Sequence, residues 1–142
     1  MDYLIEQGIK VDAIITDPPY AVTSYSWDQI IPFDQMWDKL SKLIKDDGAI
    51  VLFGNEPFSS SLRMSNPKFY RYDWKWIKTQ VTGFQNAKYQ PLRCYEDIMI
   101  FSKCGAVASA KPPMRYFPQG IIPVNLKVTL WIFFICSFCS LL

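Results

Sequence analysis

The chain has 142 residues, of which 50 % are hydrophobic and 20 % charged, with a formal net charge of +2. This is a globular composition, which excludes a disordered or low-complexity chain, and the length is that of one domain able to bury roughly two-thirds of its unfolded surface. Histidine is absent, which excludes Ser-His-Asp and Cys-His catalysis and the usual zinc-histidine sites.

The N-terminus reads as the end of a helix near Asp2–Gln7. Asp2 and Glu6 interrupt any apolar region and no basic segment leads, so no signal peptide is expected. Four cysteines without a secretory signal fit free thiols in a reducing, cytoplasmic compartment. The apolar run Val11-Asp12-Ala13-Ile14-Ile15-Thr16 predicts a buried strand over 11–16. Asp17-Pro18-Pro19-Tyr20 must end it, because two prolines neither continue a sheet ladder nor begin an ordinary helical turn. The product is a stiff loop with a carboxylate at its entrance and a ring at its exit, at the strand end where open α/β sheets collect ligands.

That loop suits a planar, amine-bearing group. The lone pair of a nucleobase amine is delocalised into its ring. The Asp17 carboxylate and the Pro18 carbonyl would accept both amine hydrogens and push the nitrogen toward a tetrahedral, nucleophilic form. Tyr20 would stack on the base, an interaction worth roughly 1–3 kcal/mol. The prolines hold the acceptors in place, so little is lost to reorganisation. The plain alternative is a turn that merely ends a strand, with Tyr20 packed on the surface.

A helix is predicted over about 33–45, with Phe33, Met36, Trp37, Leu40, Leu43 and Ile44 at helical spacing and Asp46-Asp47-Gly48 ending it. A strand follows at 49–53. Phe53 and Gly54 close it beside the first strand, where they would floor a cofactor or base pocket, although Phe53 suits plain core equally well. A short helix near 56–65 carries Pro57 in its first turn. Glu56 either bears on the pocket or favours the helix N-terminus through the dipole. Alternating Tyr70, Tyr72, Trp74 and Trp76 predict a strand over 69–78, and Ile98 to Phe101 another. Strand, helix, strand, helix favours a parallel sheet, with the later strands antiparallel at its edge.

Charge is divided unevenly along the chain. Residues 1–60 carry a balance of −6 and residues 61–142 a balance of +8. Interleaved cations and rings in the basic half suit phosphate contacts with base stacking. Lys68, Arg71, Lys88 and Arg93 are the phosphate candidates, and Asn86, within the polar block Gln85 to Gln90, is a further DNA-contact candidate. The bland readings are an amphipathic strand over Tyr70 to Lys78 and a solvated connecting loop after it. Cys136-x-x-Cys139 is half of a metal motif, but it lies in an apolar run, and Cys94 and Cys104 are too loosely spaced to complete it. No metal is expected.

The blocks Val11 to Tyr20, Trp27-Asp28, Ile31-Pro32-Phe33, Gly48 to Gly54, Glu56-Pro57-Phe58, Asp73 to Trp76, Thr82 to Lys88, Pro91-Leu92 and Glu96-Asp97-Ile98 together resemble amino-methylating DNA methyltransferases. The type is that of phages and restriction-modification systems, with the catalytic motif ahead of the cofactor motif. The resemblance covers roughly residues 1–119 and implies a partial Rossmann-like α/β fold, a mostly parallel sheet flanked by helices and incomplete in its cofactor-binding half. It implies S-adenosylmethionine as cofactor, double-stranded DNA with a flipped target base as partner, and the N6 amine of adenine as acceptor. Asp17, Pro18, Pro19 and Tyr20 become the catalytic loop, with Asp17, Phe53 and Gly54 toward the cofactor. The alternatives are a non-catalytic DNA-binding remnant and a cytosine-N4 methyltransferase. The chain departs from the family in having no Gly-x-Gly pair, and in carrying Tyr95-Glu96 where relatives have His-Glu.

Residues 120–142 form an atypical tail. Val128 to Leu142 is a run of 15 residues without charge, shorter than the about 20 needed to span a bilayer. The favoured expectation is out-of-frame sequence after an interrupted coding region, and a tail anchor is the lesser one.

Overall fold

The computed structural model describes residues 1–21, 25–26 and 28–117. Trp27 and the apolar tail lie outside the described residues. The element order is α1 (Asp2–Glu6), β1 (Val11–Thr16), α2 (Phe33–Leu43), β2 (Ile44–Gly54), α3 (Phe58–Ser65), β3 (Tyr70–Thr82), a 3₁₀ turn (Phe84–Asn86) and β4 (Arg93–Phe101). One four-stranded sheet has the order β1-β2-β4-β3. β1 and β2 pair parallel, while β4 is antiparallel to both β2 and β3. β1, β2 and β3 therefore run the same way, with β4 alone reversed between β2 and β3. The α/β class and the mainly one-directional sheet are as expected.

The helices α2 and α3 cover one face. Ile50 and Leu52 of β2, Met99 and Phe101 of β4, Leu40 and Trp37 of α2, and Phe58 and Leu62 of α3 form its buried core. Trp37 fixes the two helices to each other and to the sheet: its indole Nε1 donates to Ser65 Oγ at 2.8 Å, and its ring lies 4.8 Å from that of Phe101. The opposite face carries a smaller cluster of Ile100, Cys104 and Met114, with Ala49, Val51, Tyr72 and Ile98 packed beside it. The segment after β4 folds back over this cluster, tied by Arg115 to Asp12 (3.1 Å) and Asp47 (2.5 Å).

Three expectations are corrected. β1, expected as a buried strand, is an edge strand with no buried residue, and Ile15 on it is exposed, because β2 pairs with it on one side only. The helix expected to 45 ends at Leu43, and Ile44 opens β2 instead. Ile44 is buried opposite Val11, and the register then jumps, so that Ala13 faces Ala49. The residues Lys45 to Gly48 thus bulge from the sheet rather than end a helix. Gly48 makes this bulge possible, because a Cβ there would sit 2.7 Å from the Asp12 carbonyl oxygen. The ring alternation in β3 also breaks: the register shifts between Tyr70 and Tyr72. Tyr70 joins the helix-covered core, whereas Tyr72 packs on the opposite face.

Candidate active site at the carboxyl ends of β1 and β2

Asp17 leaves the sheet as the first residue after β1 and is exposed, whereas Pro18 behind it is buried. The Tyr20 hydroxyl donates to Asp17 Oδ1, closing the four-residue loop on itself. The Tyr20 ring is half-buried against Phe58, with centroids 5.1 Å apart, and Phe33 backs Phe58 at 6.0 Å. Burial, then the Asp17 hydrogen bond and charge, then the charge of Glu96 raise the Tyr20 pKa well above that of a free phenol, so Tyr20 is a neutral donor to Asp17. The chain then turns through Ala21 at φ 57°, where its N–H donates to the buried Asp28 carboxylate at 2.9 Å. Asp28 holds the exit of the loop as the prolines hold its entrance.

A cleft of 320 Å³ opens beside this loop, walled by Thr16, Asp17, Pro18 and Pro19 on one side and by Ile31, Met36 and Leu40 on the other, with Gln35 and Lys39 among the lining residues. A larger cleft of 450 Å³ is lined by Tyr72, Trp74, Met114 and Tyr116 among others. It belongs to the opposite face and has no carboxylate in its lining, whereas the smaller one has Asp17.

Beneath the loop, α3 is bound to the sheet by a charged cluster whose members Glu56, Asp73, Lys75 and Asp97 fall in separate sequence blocks named above, with Arg63 outside them. Arg63 reaches Glu56 and Asp97 at 2.9 Å each and Asp73 at 3.5 Å. Lys75 pairs with Asp73 at 2.8 Å and also with Asp97, which is only 2 % exposed. Burial raises the Asp97 pKa, but Lys75, Ser59 and Arg63 more than offset it and hold it below the usual carboxylate range. Ser59 Oγ faces that carboxylate without a hydrogen bond of ordinary geometry among the described residues. The signal available in the sequence was weak: Arg63 and Asp97 are 34 residues apart. Of the two roles open to Glu56, the helix-terminal one is formed. Its carboxylate accepts from Ser60 N (3.2 Å) and Ser60 Oγ (2.7 Å) in the first turn of α3.

The expected site residues separate into groups. Asp17, Pro18 and Pro19 line the cleft, while Tyr20, bonded to Asp17, packs its ring on Phe58 outside that lining. Gly54 stands at the end of β2 beside them, where an added Cβ would meet Met99 Cε at 2.6 Å and Ser59 Oγ at 2.9 Å. A side chain here would have to displace the Met99 and Ser59 side chains. Phe53 alternates with Leu52 and Gly54 onto the opposite face, its ring edge-on to Trp76 at 6.0 Å. Lys68 and Arg71 lie at the far, amino-terminal end of β3. The Arg71 guanidinium donates to the carbonyls of Cys104 (2.7 Å), Tyr70 (3.1 Å) and Lys103 (3.3 Å). Asn86, Lys88 and Arg93 gather at the tip of the β3–β4 hairpin, beyond the carboxyl ends of β1 and β2.

No protein-family model matches the chain, and no curated protein matches it. Among solved structures it is similar to the M1.HpyAVI–SAM complex, at 21 % identity and a TM-score of 0.52, over 72 % of this chain and 50 % of that one. The crystal structure of M1.HpyAVI matches over the same shares at 21 % identity and a TM-score of 0.53. The chain shares their fold. It spans about half the length of either.

Proposed function

We propose that this chain carries the catalytic-loop half of an S-adenosylmethionine-dependent DNA methyltransferase acting on the N6 amine of adenine. The observation that carries the reading is the Asp17 carboxylate, fixed by Tyr20 at the end of β1 on the rim of a cleft sized for a nucleobase. The resemblance of the surrounding sequence blocks to amino-methylating enzymes supports it, as does the fold shared with a protein crystallised with SAM.

The target adenine must leave the duplex to reach Asp17. Its amine then donates to the Asp17 oxygen that Tyr20 leaves open and to the Pro18 carbonyl, which draws the nitrogen lone pair out of the ring. Tyr20, backed by Phe58, presents its ring to the base. Asp17 is exposed, so the proton lost by the methylated amine passes by way of its carboxylate to water. Asp17 would face the sulfonium of the methyl donor, while Ile31, Met36 and Leu40 would pack against the faces of its carbon framework, with the base reaching Asp17 from its exposed side. When bound, that group supplies an electrophilic methyl on sulfur. Phe53, turned to the other face, has no part in this, and Gly54 offers backbone alone.

Calorimetric titration of the full chain with S-adenosylmethionine is expected to show one site. Asp17→Ala should weaken that site and, at saturating cofactor, still lower methyl transfer to an adenine-containing duplex by on the order of 10²–10³-fold, the usual cost of removing a preorganised polar group at a reacting centre. No heat of binding would overturn the reading. Methylcytosine in place of methyladenine would move the acceptor to cytosine N4. The half-length match favours a second reading, a module that binds DNA without transferring a methyl group. Duplex binding without cofactor binding would select it.

A further inference from the structure

We propose that the pocket at the tip of the β3–β4 hairpin is a phosphodiester site that grips the DNA strand beside the flipped base. The proposal deepens the methyltransferase reading and rests on its DNA substrate. Most cations of the basic half are already engaged among the described residues. Arg63, Lys75, Lys78, Lys103 and Arg115 are in ion pairs with carboxylates, and Arg71 is bound to backbone carbonyls. Among the described residues, Arg93 and Lys88 at the carboxyl end of the sheet have no ion-pair partner.

Arg93 does not stand on open surface. It is half-buried in the lining of a 240 Å³ pocket, with Thr82, Gly83, Asn86, Gln90 and Pro91. The side chains of Thr82, Asn86, Gln90 and Arg93 make no hydrogen bond or ion pair among the described residues. The lining therefore offers a guanidinium, two amide NH₂ groups and a hydroxyl with no carboxylate, which is the donor set for a phosphate oxygen pair. The turn that shapes it is fixed independently of those side chains. Gly83 takes φ 90°, and backbone bonds run from Asn86 N to the Gly83 carbonyl (2.9 Å) and from Gln90 N to the Asn86 carbonyl (3.0 Å). Phe84 and Tyr89 stand on the same hairpin loop, 68 % and 87 % exposed. Rings that close to a phosphate pocket suit the sugar and base of a nucleic-acid strand, which a free phosphate lacks. Asp97 lies opposite Gly54, and Arg93 is four residues further along β4, about 13 Å beyond the strand end at 3.3 Å per residue. The pocket thus overhangs the side of the sheet where Asp17 lies.

The test is fluorescence anisotropy of a labelled 20-base-pair duplex with the full chain, across a range of salt concentrations. Arg93→Ala is expected to weaken binding roughly ten-fold, the worth of a charge-assisted hydrogen bond, and to flatten the log–log salt slope by about 0.9, one phosphate contact. Arg93→Lys should keep the slope and recover part of the affinity. Asn86→Ala should weaken binding several-fold at unchanged slope. Lys68→Ala, at the other end of β3, should change neither. Inorganic phosphate at the concentration of duplex phosphate should not compete. An unchanged slope in Arg93→Ala, with wild-type binding intact, overturns the pocket and leaves the methyltransferase reading standing. Competition by inorganic phosphate at that concentration replaces the strand with a free anion. Failure of the wild-type chain to bind the duplex overturns both. Circular dichroism of each variant checks that the hairpin change has left the fold in place.

Discussion

Asp97 is a carboxylate in the core whose charge survives because two cations converge on it, Lys75 from the neighbouring strand and Arg63 from α3. A buried acid with one partner removed is left as an uncompensated charge, and breaking such pairs costs about 3–5 kcal/mol. Lys75 remains in Arg63→Ala, so the lower end applies, about 3 kcal/mol by urea denaturation, together with a looser seat for Phe58 under Tyr20. The sign of the pH effect follows from the same contacts. The Asp97 pKa in the folded chain lies below its ordinary value, so the stability it contributes is complete above the unfolded carboxylate range. That stability is lost as pH falls through the folded value, below about pH 4. Asp73, held down mainly by the Lys75 hydrogen bond and then by that of Tyr70 against the effect of burial, adds to the same limb. Asp97→Asn should show a shallower loss of stability between pH 5 and pH 3 than the parent chain in the same urea titrations. Equal slopes would mean that the cluster is not held by charge.

At the scale of elements, legibility followed the range of the interactions that decide each one. β1 and its stop at Asp17 were readable because apolar β-branched residues and two prolines act within ten residues, but its burial was misjudged, since the place at the sheet edge is set by the other strands. α3 was readable from Pro57, which stands just before its first turn. The end of α2 was not: Ile44 fits the helical stripe locally, and only pairing with Val11, 33 residues away, draws it into β2. The β3 rings fail for the same reason, since a bulge set by β4 moves Tyr70 and Tyr72 to opposite faces. Within the site, the four-residue loop was legible as a unit, while its support by Phe58 and Arg63 depended on how α3 lies on the sheet. Gly48 is the residue on which the β1–β2 register turns. A Cβ there meets backbone at 2.7 Å and the Ile44 side chain at 2.8 Å, and backbone cannot swing aside as a side-chain end can. Gly48→Ala is expected to cost about 1–3 kcal/mol, as overpacking does, with amide exchange speeding up in Ala13 to Thr16. Unchanged exchange there would show that the bulge relaxes at no cost to the register.

For the whole molecule, the decisive asymmetry is that helices cover one face of the sheet among the described residues while the other is part-covered by the segment after β4. On that second face Ile15 is 69 %, Trp74 54 % and Trp76 50 % exposed, with Phe53 and Val51 half-buried between them. Two neighbouring tryptophans at half exposure form the kind of contiguous apolar surface that in soluble proteins marks contact with other protein or with ligand. It lies on the opposite side of the sheet from Tyr20 and Phe58, so it is separable from the proposed chemistry. Replacing Trp74 and Trp76 together by Thr keeps strand-forming residues in β3 and removes most of that surface. It also removes the edge contact with Phe53 and the Lys78 ammonium from over the Trp76 ring, contacts worth about 0.5–1.5 kcal/mol each. The double variant should therefore lose one or two kcal/mol in urea denaturation while binding less of an apolar fluorescent dye and sedimenting with less self-association. Binding of the duplex by the Arg93 hairpin should be unaffected. If dye binding stays at the parent level, the exposed apolar surface resides elsewhere than on these strands.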